Sequence, residues 1–464
     1  MADNSVFSES LAYGQQKRRA VSARSFRVKI PPSNSTTFKD GQTIQVDLPG
    51  NLAGQYYNMN QMYLKVNVTP TVACSLDRVG ALGFIKRLQI STAGAQIADI
   101  NNYNVLASAM LDTDASSEYK AGYGNVMLGT LGDALKGEDI GAGAERVFCI
   151  PMVLNPLSMT TPHRLIPAFA LSSLQFRFTL DSATSAVLSA DACVLDFKEV
   201  EMVCMMTELS PQAQSMVDSS TGGKYNILAN SFMNSGATRQ GDDTALTANL
   251  GFSVSSLERI IAIHRPSATV DVRTTYSLGN RGTAGLSEFQ YLVNSESYPA
   301  RPVIIDSKGA ESMAETLIAD HALADFKKSA TFNNGFARIG AVADFYGVGT
   351  SALSGVAPGQ AKSECFMIPA PLGTTAGVSA VPGVANSTPS DVGTFVVATE
   401  FESGLSDGKS STIYSGISTI ASVVQWVGKY AVPTASTFTI DFFAQYTVLL
   451  SLDTRGSGVW SISV

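Results

Sequence analysis

Apolar and polar residues alternate with a period of two in several separate stretches of the chain. Examples are TIQVDLP at residues 43–49, QMYLKVNVTP at 61–70 and LQFRFTLD at 174–181. Successive side chains of an extended backbone point to opposite faces, so this alternation predicts strands that have one buried face and one wetter face. Such strands are typical of antiparallel sheets that pack one face against a core.

The longest alternation is TFTIDFFAQYTVLLSLD at residues 437–453, close to the end of the chain. It is far longer than a usual strand of about 5–6 residues. Phe443 and Leu449 place apolar side chains on the face that is otherwise polar. We therefore expect this strand to be covered on both faces in places.

Helical patterns are scarce. Residues 102–112 and 307–326 have apolar side chains at helical spacing, which predicts two helices. Residues 112–145 and 347–393 are rich in small residues, and the second stretch holds just three charged side chains. We interpret both as elaborated loops, because a long stretch of this kind inside a compact chain usually carries an interaction surface or is partly disordered.

A change in composition near residues 208–224 divides the chain. A strand-like run ends at Met206, a polar segment containing Pro211 and Gly222 follows, and a new strand-like run opens at Tyr225. Several strands on each side, with turn signals between them, predict two β-sandwiches. The predicted boundaries are a basic arm at 1–29, a first domain at 30–208, a linker at 209–224 and a second domain at 225–464.

The chain is poor in charge, with 15% charged and 45% hydrophobic residues. The usual charged share is about 25%. A surface of this kind is hard to keep soluble as an isolated monomer, so we expect partners to cover much of it. The five cysteines are widely spaced and the first ten residues lack an apolar core. Both features predict a protein that is not secreted and whose thiols pack as small apolar side chains.

The charge is also uneven. The first 30 residues contain six Lys or Arg and two acids, whereas the rest contains 26 Lys or Arg and 37 acids. The acidic body therefore cannot bind polyanions in general. Alternatives for the arm are a nuclear-localisation tag, a polyanion contact, an ordered arm under the body, or a solvated tail. Its cations are Lys17, Arg18, Arg19, Arg24, Arg27 and Lys29.

Motifs for catalysis or metal binding are weak. The histidines (His163, His264 and His321) are far apart, and no Cys-x-x-Cys or His-x-x-x-His pair occurs. We therefore expect no metal and no cofactor. Residues 404–408 match G-x-S-x-G around Ser406, but a nucleophile elbow needs a following helix and a later histidine. The phosphate-loop ending at 408–410 and the glycine-rich run at 347–352 also lack the necessary context.

The order of these features resembles the major capsid proteins of the double jelly-roll viral lineage. That lineage includes adenovirus hexon and the capsid proteins of virophages, Polinton-like elements and tailless membrane-containing phages. The resemblance lies in SFRVKIPPSNSTTFKDGQTIQVDLPGNLAGQYYNMNQMYLKVNV at residues 25–68 and in FIKRLQISTAGAQIADINNYNVLASAM at 84–110. Its most specific part is LGFSVSSLERIIAIHRP at 250–266, then Asn280-Arg281, then EFQYLVNSESYPARPV at 288–303.

The resemblance implies an all-β fold of two eight-stranded antiparallel jelly-roll sandwiches side by side, with a few short helices. It also implies a structural protein of the virion, made in the host cytoplasm or nucleus, and not an enzyme. Three chains would form a homotrimeric, pseudo-hexameric capsomer that tiles an icosahedral shell. Implied partners are neighbouring capsomers, penton and minor capsid proteins, and the genome or an internal membrane through the arm, with no small-molecule substrate.

Two other function classes stay open from the residues alone. One is an extracellular or surface β-sandwich that binds carbohydrate. The absence of a predicted signal peptide and the presence of only two tryptophans argue against this class. The other is a hydrolase that uses Ser406, for which we expect no activity.

Overall fold

The computed structural model describes residues 23–92, 95–115, 117–131, 136–160, 164–171, 174–282, 284–305, 310–319, 395–401, 416–430, 437–453 and 460–463. These residues form two antiparallel sandwiches, which we call the N-terminal sandwich and the C-terminal sandwich. No helix within the described ranges is long and apolar enough to cross a membrane.

The N-terminal sandwich is built from two facing sheets and one small sheet. The facing sheets have the strand orders β1-β13-β4-β10 and β3-β11-β6-β7, β2 and β9 join the first of them, and β12-β5-β8 form the small sheet. Its strands are β1 (Ala23–Ile30), β2 (Phe38–Lys39), β3 (Thr43–Leu48), β4 (Gln55–Pro70), β5 (Cys74–Asp77), β6 (Ile85–Thr92), β7 (Ala95–Asn101), β8 (Lys136–Ile140), β9 (Arg146–Pro151), β10 (Ile166–Pro167), β11 (Leu174–Leu180), β12 (Val187–Ser189) and β13 (Leu195–Leu209).

The C-terminal sandwich repeats this arrangement. Its sheets have the orders β14-β21-β16-β19 and β15-β20-β17-β18, and β22 pairs with β21. In both sandwiches the first strand pairs with a long, late strand that runs up the middle of the same sheet. The strands are β14 (Lys224–Arg239), β15 (Ala245–Leu250), β16 (Leu257–Pro266), β17 (Leu286–Val293), β18 (Glu296–Ile304), β19 (Val397–Glu400), β20 (Val424–Tyr430), β21 (Phe438–Asp453) and β22 (Trp460–Ser463).

Short helices decorate the sandwiches. α1 agrees with the helix predicted at 102–112, and α6 lies within the predicted 307–326, whose remainder is outside the described residues. The helices are α1 (Tyr103–Asp114), α2 (Ser117–Ala121), α3 (Tyr123–Leu128), α4 (Ala183–Ala186), α5 (Pro211–Thr221) and α6 (Ala310–Ala319).

The alternating patterns of the sequence produce the core. Met62, Leu64, Val66 and Val68 of β4 are all buried and belong to one apolar cluster that runs through both sandwiches. Burying one such side chain contributes roughly 1.5–3 kcal/mol. In the C-terminal sandwich, the fully buried Trp426 stacks on Phe289 with ring centroids 5.0 Å apart.

Strand β21 is covered on both faces over part of its length, as predicted. Phe443 is buried on the face opposite Phe442, whereas Leu449 is exposed. Asp441, two residues before Phe443 on the same face, accepts a hydrogen bond from Asn102 of the N-terminal sandwich. The neighbouring strand β16 is buried at every position.

Two stretches that we interpreted as a loop and a linker contain regular structure. The linker at 209–224 holds α5, which Ser210 caps by accepting a hydrogen bond from the Ala213 N–H, with Pro211 at its first position. The loop at 112–145 holds α2, α3 and β8. Gly137 in this stretch allows close packing, since a Cβ there would come within 2.8 Å of backbone and side-chain atoms. The stretch at 347–393 lies outside the described residues.

Candidate functional site

The described end of the basic arm is a strand of the sheet. Arg24, Arg27 and Lys29 lie on β1, which pairs with β13 along its whole length. Arg24 makes a 2.7 Å ion pair with Glu208, and Lys29 Nζ lies 3.1 Å from a carboxylate oxygen of Glu201. Such exposed pairs contribute about 0–1 kcal/mol each, so their main effect here is to neutralise charge. The other arm cations lie outside the described residues: Lys17, Arg18 and Arg19.

The histidine that the structure describes is a core residue. His264 on β16 is fully buried, with ring centroids 5.9 Å from Phe395 and 6.0 Å from Trp426. Burial, with a smaller contribution from Arg239, lowers the pKa of His264 to about 3, so the imidazole is neutral. Within the described part of the chain, no group of three His, Cys, Asp or Glu side chains could hold a metal ion.

The other motifs cannot be placed on the fold. His163, His321 and Ser406 lie outside the described residues, as do the glycine-rich runs at 347–352 and 404–410.

The most developed polar site is buried where the two sandwiches meet, and Asp112 is its centre. Asp112 Oδ1 lies 2.8 Å from Lys120 Nζ and 3.1 Å from Arg78 Nη2. The second oxygen, Oδ2, accepts a hydrogen bond from Arg281 of the C-terminal sandwich. All four side chains are buried. With Asp77, described below, we call these residues the inter-sandwich network.

Burial shifts the protonation of the cations in this network. It lowers the pKa of Lys120 to about 7 and that of Arg281 to about 9, and the nearby positive charge of Arg78 acts in the same direction. The single carboxylate of Asp112 contacts all three cations. Removing that carboxylate would leave buried charges without compensation, which is costly.

Asp77 completes the network from the β5 side. Its Oδ2 accepts hydrogen bonds from the backbone N–H groups of Leu278 and Gly279, at 3.0 and 3.1 Å. Burial raises the pKa of Asp77, and these two hydrogen bonds partly counter that shift. A Cβ on Gly279 would collide with the Arg78 side chain and lie 2.7 Å from Asp77 Oδ1, so the contact requires glycine.

A second, partly buried contact fixes the start of α1 on the C-terminal sandwich. Asn102 Nδ2 donates to Asp441 Oδ1 at 2.9 Å. The other oxygen of Asp441 accepts a 2.8 Å hydrogen bond from Arg265, which lies on the adjacent strand β16. Helix α1 is thus tied to the C-terminal sandwich at its first turn through Asn102 and at its last turn through Asp112. Both contacts link the two sandwiches to each other.

An apolar groove opens on the outer side of α1. It has a volume of about 420 Å³ and is lined by residues such as Leu111, Tyr119 and Val153. Tyr123 and Val126 on the adjacent helix α3 are exposed. Exposed apolar surface next to a groove is typical of a protein contact.

Comparison with solved structures shows the same architecture in several viral proteins. The PBCV-1 virus capsid structure aligns with a TM-score of 0.57 at 12% sequence identity, covering 96% of this chain and 98% of that chain. The Faustovirus major capsid protein aligns with a TM-score of 0.55 at 8% identity, covering 94% and 92%. The mavirus major capsid protein aligns with a TM-score of 0.51 at 11% identity, covering 99% and 96%.

The fold is a double jelly roll. The sequence-based prediction of this architecture is therefore confirmed, together with its antiparallel all-β class. At this level of identity the likeness shows the fold alone. No protein-family profile matches the chain, and no curated protein matches it in sequence. The three structures named above are those of viral capsids or capsid proteins.

Sequence reasoning identified part of this site and missed the rest. It singled out Asn280-Arg281 as a segment typical of the double jelly roll, but not the contact of Arg281 with Asp112. It also identified the arm cations; among those that the structure describes, Arg24 and Lys29 are paired with acidic residues of β13. Nothing in the local pattern marked Asp77, Arg78 or Lys120, because each looks like an ordinary surface charge in the sequence.

Proposed function

We propose that the chain is a viral major capsid protein. Three copies associate into a pseudo-hexameric capsomer, and capsomers tile an icosahedral shell that encloses the genome. The observation that carries this proposal is the near-complete mutual coverage with a virus capsid structure, 96% of this chain and 98% of that one. Coverage of that extent includes both sandwiches and not just one common domain.

The repeated strand order supports a trimer with six similar parts. Each chain contributes two sandwiches of the same topology, so a threefold ring presents six of them around its rim. Cyclic trimers use heterologous contacts, in which one surface of a subunit meets a different surface of its neighbour. Such a ring closes only if the angle between the two sandwiches is fixed. The buried contacts of Asp112 and Asp441 across the junction are suited to that requirement.

The composition and surface fit an assembled subunit. Charged residues are 15% of the chain, and apolar side chains are exposed beside the groove at α1. A surface with little charge and exposed apolar side chains is unfavourable for a free monomer. It becomes favourable once neighbouring copies, penton proteins or minor capsid proteins cover it.

The N-terminal arm is proposed to contact genome phosphates or lipid headgroups on the inner face of the shell. Arg24 and Lys29 have acidic partners on β13. The contact is therefore assigned mainly to Lys17, Arg18 and Arg19, with Arg27 exposed on β1. A handful of phosphate contacts gives binding that weakens steeply with salt and does not read sequence.

The test is the mass and shape of the purified protein. Light scattering after size exclusion is expected to give three times the chain mass of 48.9 kDa, and electron micrographs should show pseudo-hexagonal particles. A chain that begins at residue 23 serves as the matched control and should give the same trimer. A folded monomer that persists at micromolar concentration would refute the proposal.

A further inference from the structure

Cys74 and Cys193 are neighbours in the N-terminal sandwich although they are distant in the sequence. Cys74 is the first residue of β5, and Cys193 lies in the turn between β12 and β13. Strand β12 ends with Ser189 opposite Cys74, and β13 begins with Leu195 opposite Pro70. The turn between these two strands therefore crosses back over residues 70–74.

Hydrogen bonds hold the turn in that position. The Thr71 N–H donates to the Val194 carbonyl at 3.0 Å, and the Val194 N–H donates to Thr71 Oγ1 at 3.0 Å. The Cys193 thiol also contacts the Val72 carbonyl oxygen at 3.8 Å. These contacts place the Cys193 sulfur beside Cys74, close enough for the two thiols to shift each other's pKa through a hydrogen bond.

The two sulfurs differ in access and in acidity. Cys74 is buried, whereas Cys193 is half-buried and can meet a dissolved reagent. The hydrogen bond from Cys74 lowers the pKa of Cys193 to about 7 and raises the pKa of Cys74. Because the thiolate is the nucleophile in thiol exchange, Cys193 is suited to attack first and Cys74 to follow.

We propose that Cys74 and Cys193 form a redox modification site that closes to a disulfide when the protein meets a low-molecular-weight disulfide such as oxidised glutathione. The Cys193 thiolate attacks one glutathione sulfur, so the glutathione S–S bond breaks and one glutathione thiolate leaves. Cys74 then gives up its proton and attacks the Cys193 sulfur, which releases the second glutathione. Two protein thiols are oxidised to one disulfide, and one oxidised glutathione is reduced to two thiols that take up both protons.

The bond would stiffen the junction between the sandwiches. The Ser189 N–H, opposite Cys74, donates to the Arg273 carbonyl of the C-terminal sandwich at 2.9 Å. A cross-link from Cys74 on β5 to Cys193 in the turn before β13 also closes a loop of more than 100 residues, which restricts the unfolded chain. We expect oxidation to raise the melting temperature by roughly 5 °C or more.

The experiment oxidises the full-length protein with oxidised glutathione at pH 8, blocks the remaining thiols and maps tryptic peptides without reduction. The expected product links residues 66–78, which contain Cys74, to residues 178–198, which contain Cys193. Reduction should release the link and reverse the gain in melting temperature.

Cys193→Ser is expected to abolish both the linked peptide and the thermal gain. Cys149→Ser removes another half-buried thiol and should leave both unchanged. The peptide map of the oxidised wild-type protein tests the proposal by itself, even if a variant folds poorly. The proposal fails if the oxidised wild type contains no link between 66–78 and 178–198, or if the peptide with Cys149 is linked as often. Neither outcome depends on whether the protein forms trimers.

Discussion

The Asn102 side chain donates a 2.9 Å hydrogen bond to Asp441, and this bond joins the start of α1 in one sandwich to the long strand β21 in the other. Asp441 is buried and also pairs with Arg265. The orientation of the two sandwiches therefore depends on specific polar contacts as well as on apolar packing. That dependence makes the junction the best place to test the structure.

Replacing Asp112 with Asn should destabilise the protein by about 3–5 kcal/mol, because three buried cations lose their counter-charge while the side-chain volume is kept. The measurement is urea unfolding at constant pH. Asp99→Asn is the matched control, since Asp99 pairs with Arg87 at a partly exposed site. The control should cost about 0–1 kcal/mol. Equal losses of unfolding free energy in the two variants would show that the inter-sandwich network contributes no more stability than a partly exposed ion pair.

The lowered pKa of Lys120 predicts a particular pH dependence. The folded pKa of about 7 is below the usual 10.5, so the unfolded chain binds the proton more tightly than the folded one. This residue's contribution to stability is therefore full above the unfolded pKa and is lost as pH falls toward 7. The melting temperature of the wild type, relative to Lys120→Met, should rise between pH 7 and pH 10. Parallel profiles for the two proteins would contradict the assignment.

Gly279→Ala should weaken the junction. The new Cβ would collide with the Arg78 side chain and displace Asp77 from its backbone partners. We expect a loss of about 1–3 kcal/mol, the usual effect of overpacking. Gly251→Ala is the control, because a Cβ there meets nothing within 4 Å. It should be neutral or slightly stabilising. Thermal unfolding of both variants measures the difference.

The arm cations should differ in their effect on polyanion binding. Changing Lys17, Arg18 and Arg19 together to Gln removes three charges and should make the slope of log K against log salt concentration shallower by roughly 2 for single-stranded DNA. Arg24→Gln should change it less, because Arg24 is already paired with Glu208. Fluorescence anisotropy across a salt series gives the slopes. Equal slopes for the triple variant and the wild type would favour a solvated tail over a polyanion contact.

Local pattern predicted the strands well. The alternation at 437–453 corresponds to β21 (Phe438–Asp453), and those at 43–49 and 174–181 correspond to β3 and β11. A buried face imposes a period of two, and that period is visible in the sequence. Helix α5 could also have been predicted, because Ser210 and Pro211 form a typical helix start and Gly222 a typical end.

The junction could not be predicted in the same way. Asp112 and Arg281 are 169 residues apart in the sequence, and a contact at that distance leaves no period in the chain. Their burial follows from how the two sandwiches pack, and a charged residue on a helix ordinarily indicates a solvent-facing position. The resemblance to capsid proteins marked Arg281 as part of a typical segment without indicating its partner.

Strand β16 is buried along its whole length, and this affects how the protein can be synthesised. One of its faces packs inside the C-terminal sandwich around His264, and the other presents Arg259 and Ile261 toward α1. The N-terminal sandwich leaves the ribosome first and already contains α1. The C-terminal half then folds against a surface of the N-terminal sandwich that has already been synthesised. We expect the C-terminal half, translated alone, to expose that face and to aggregate.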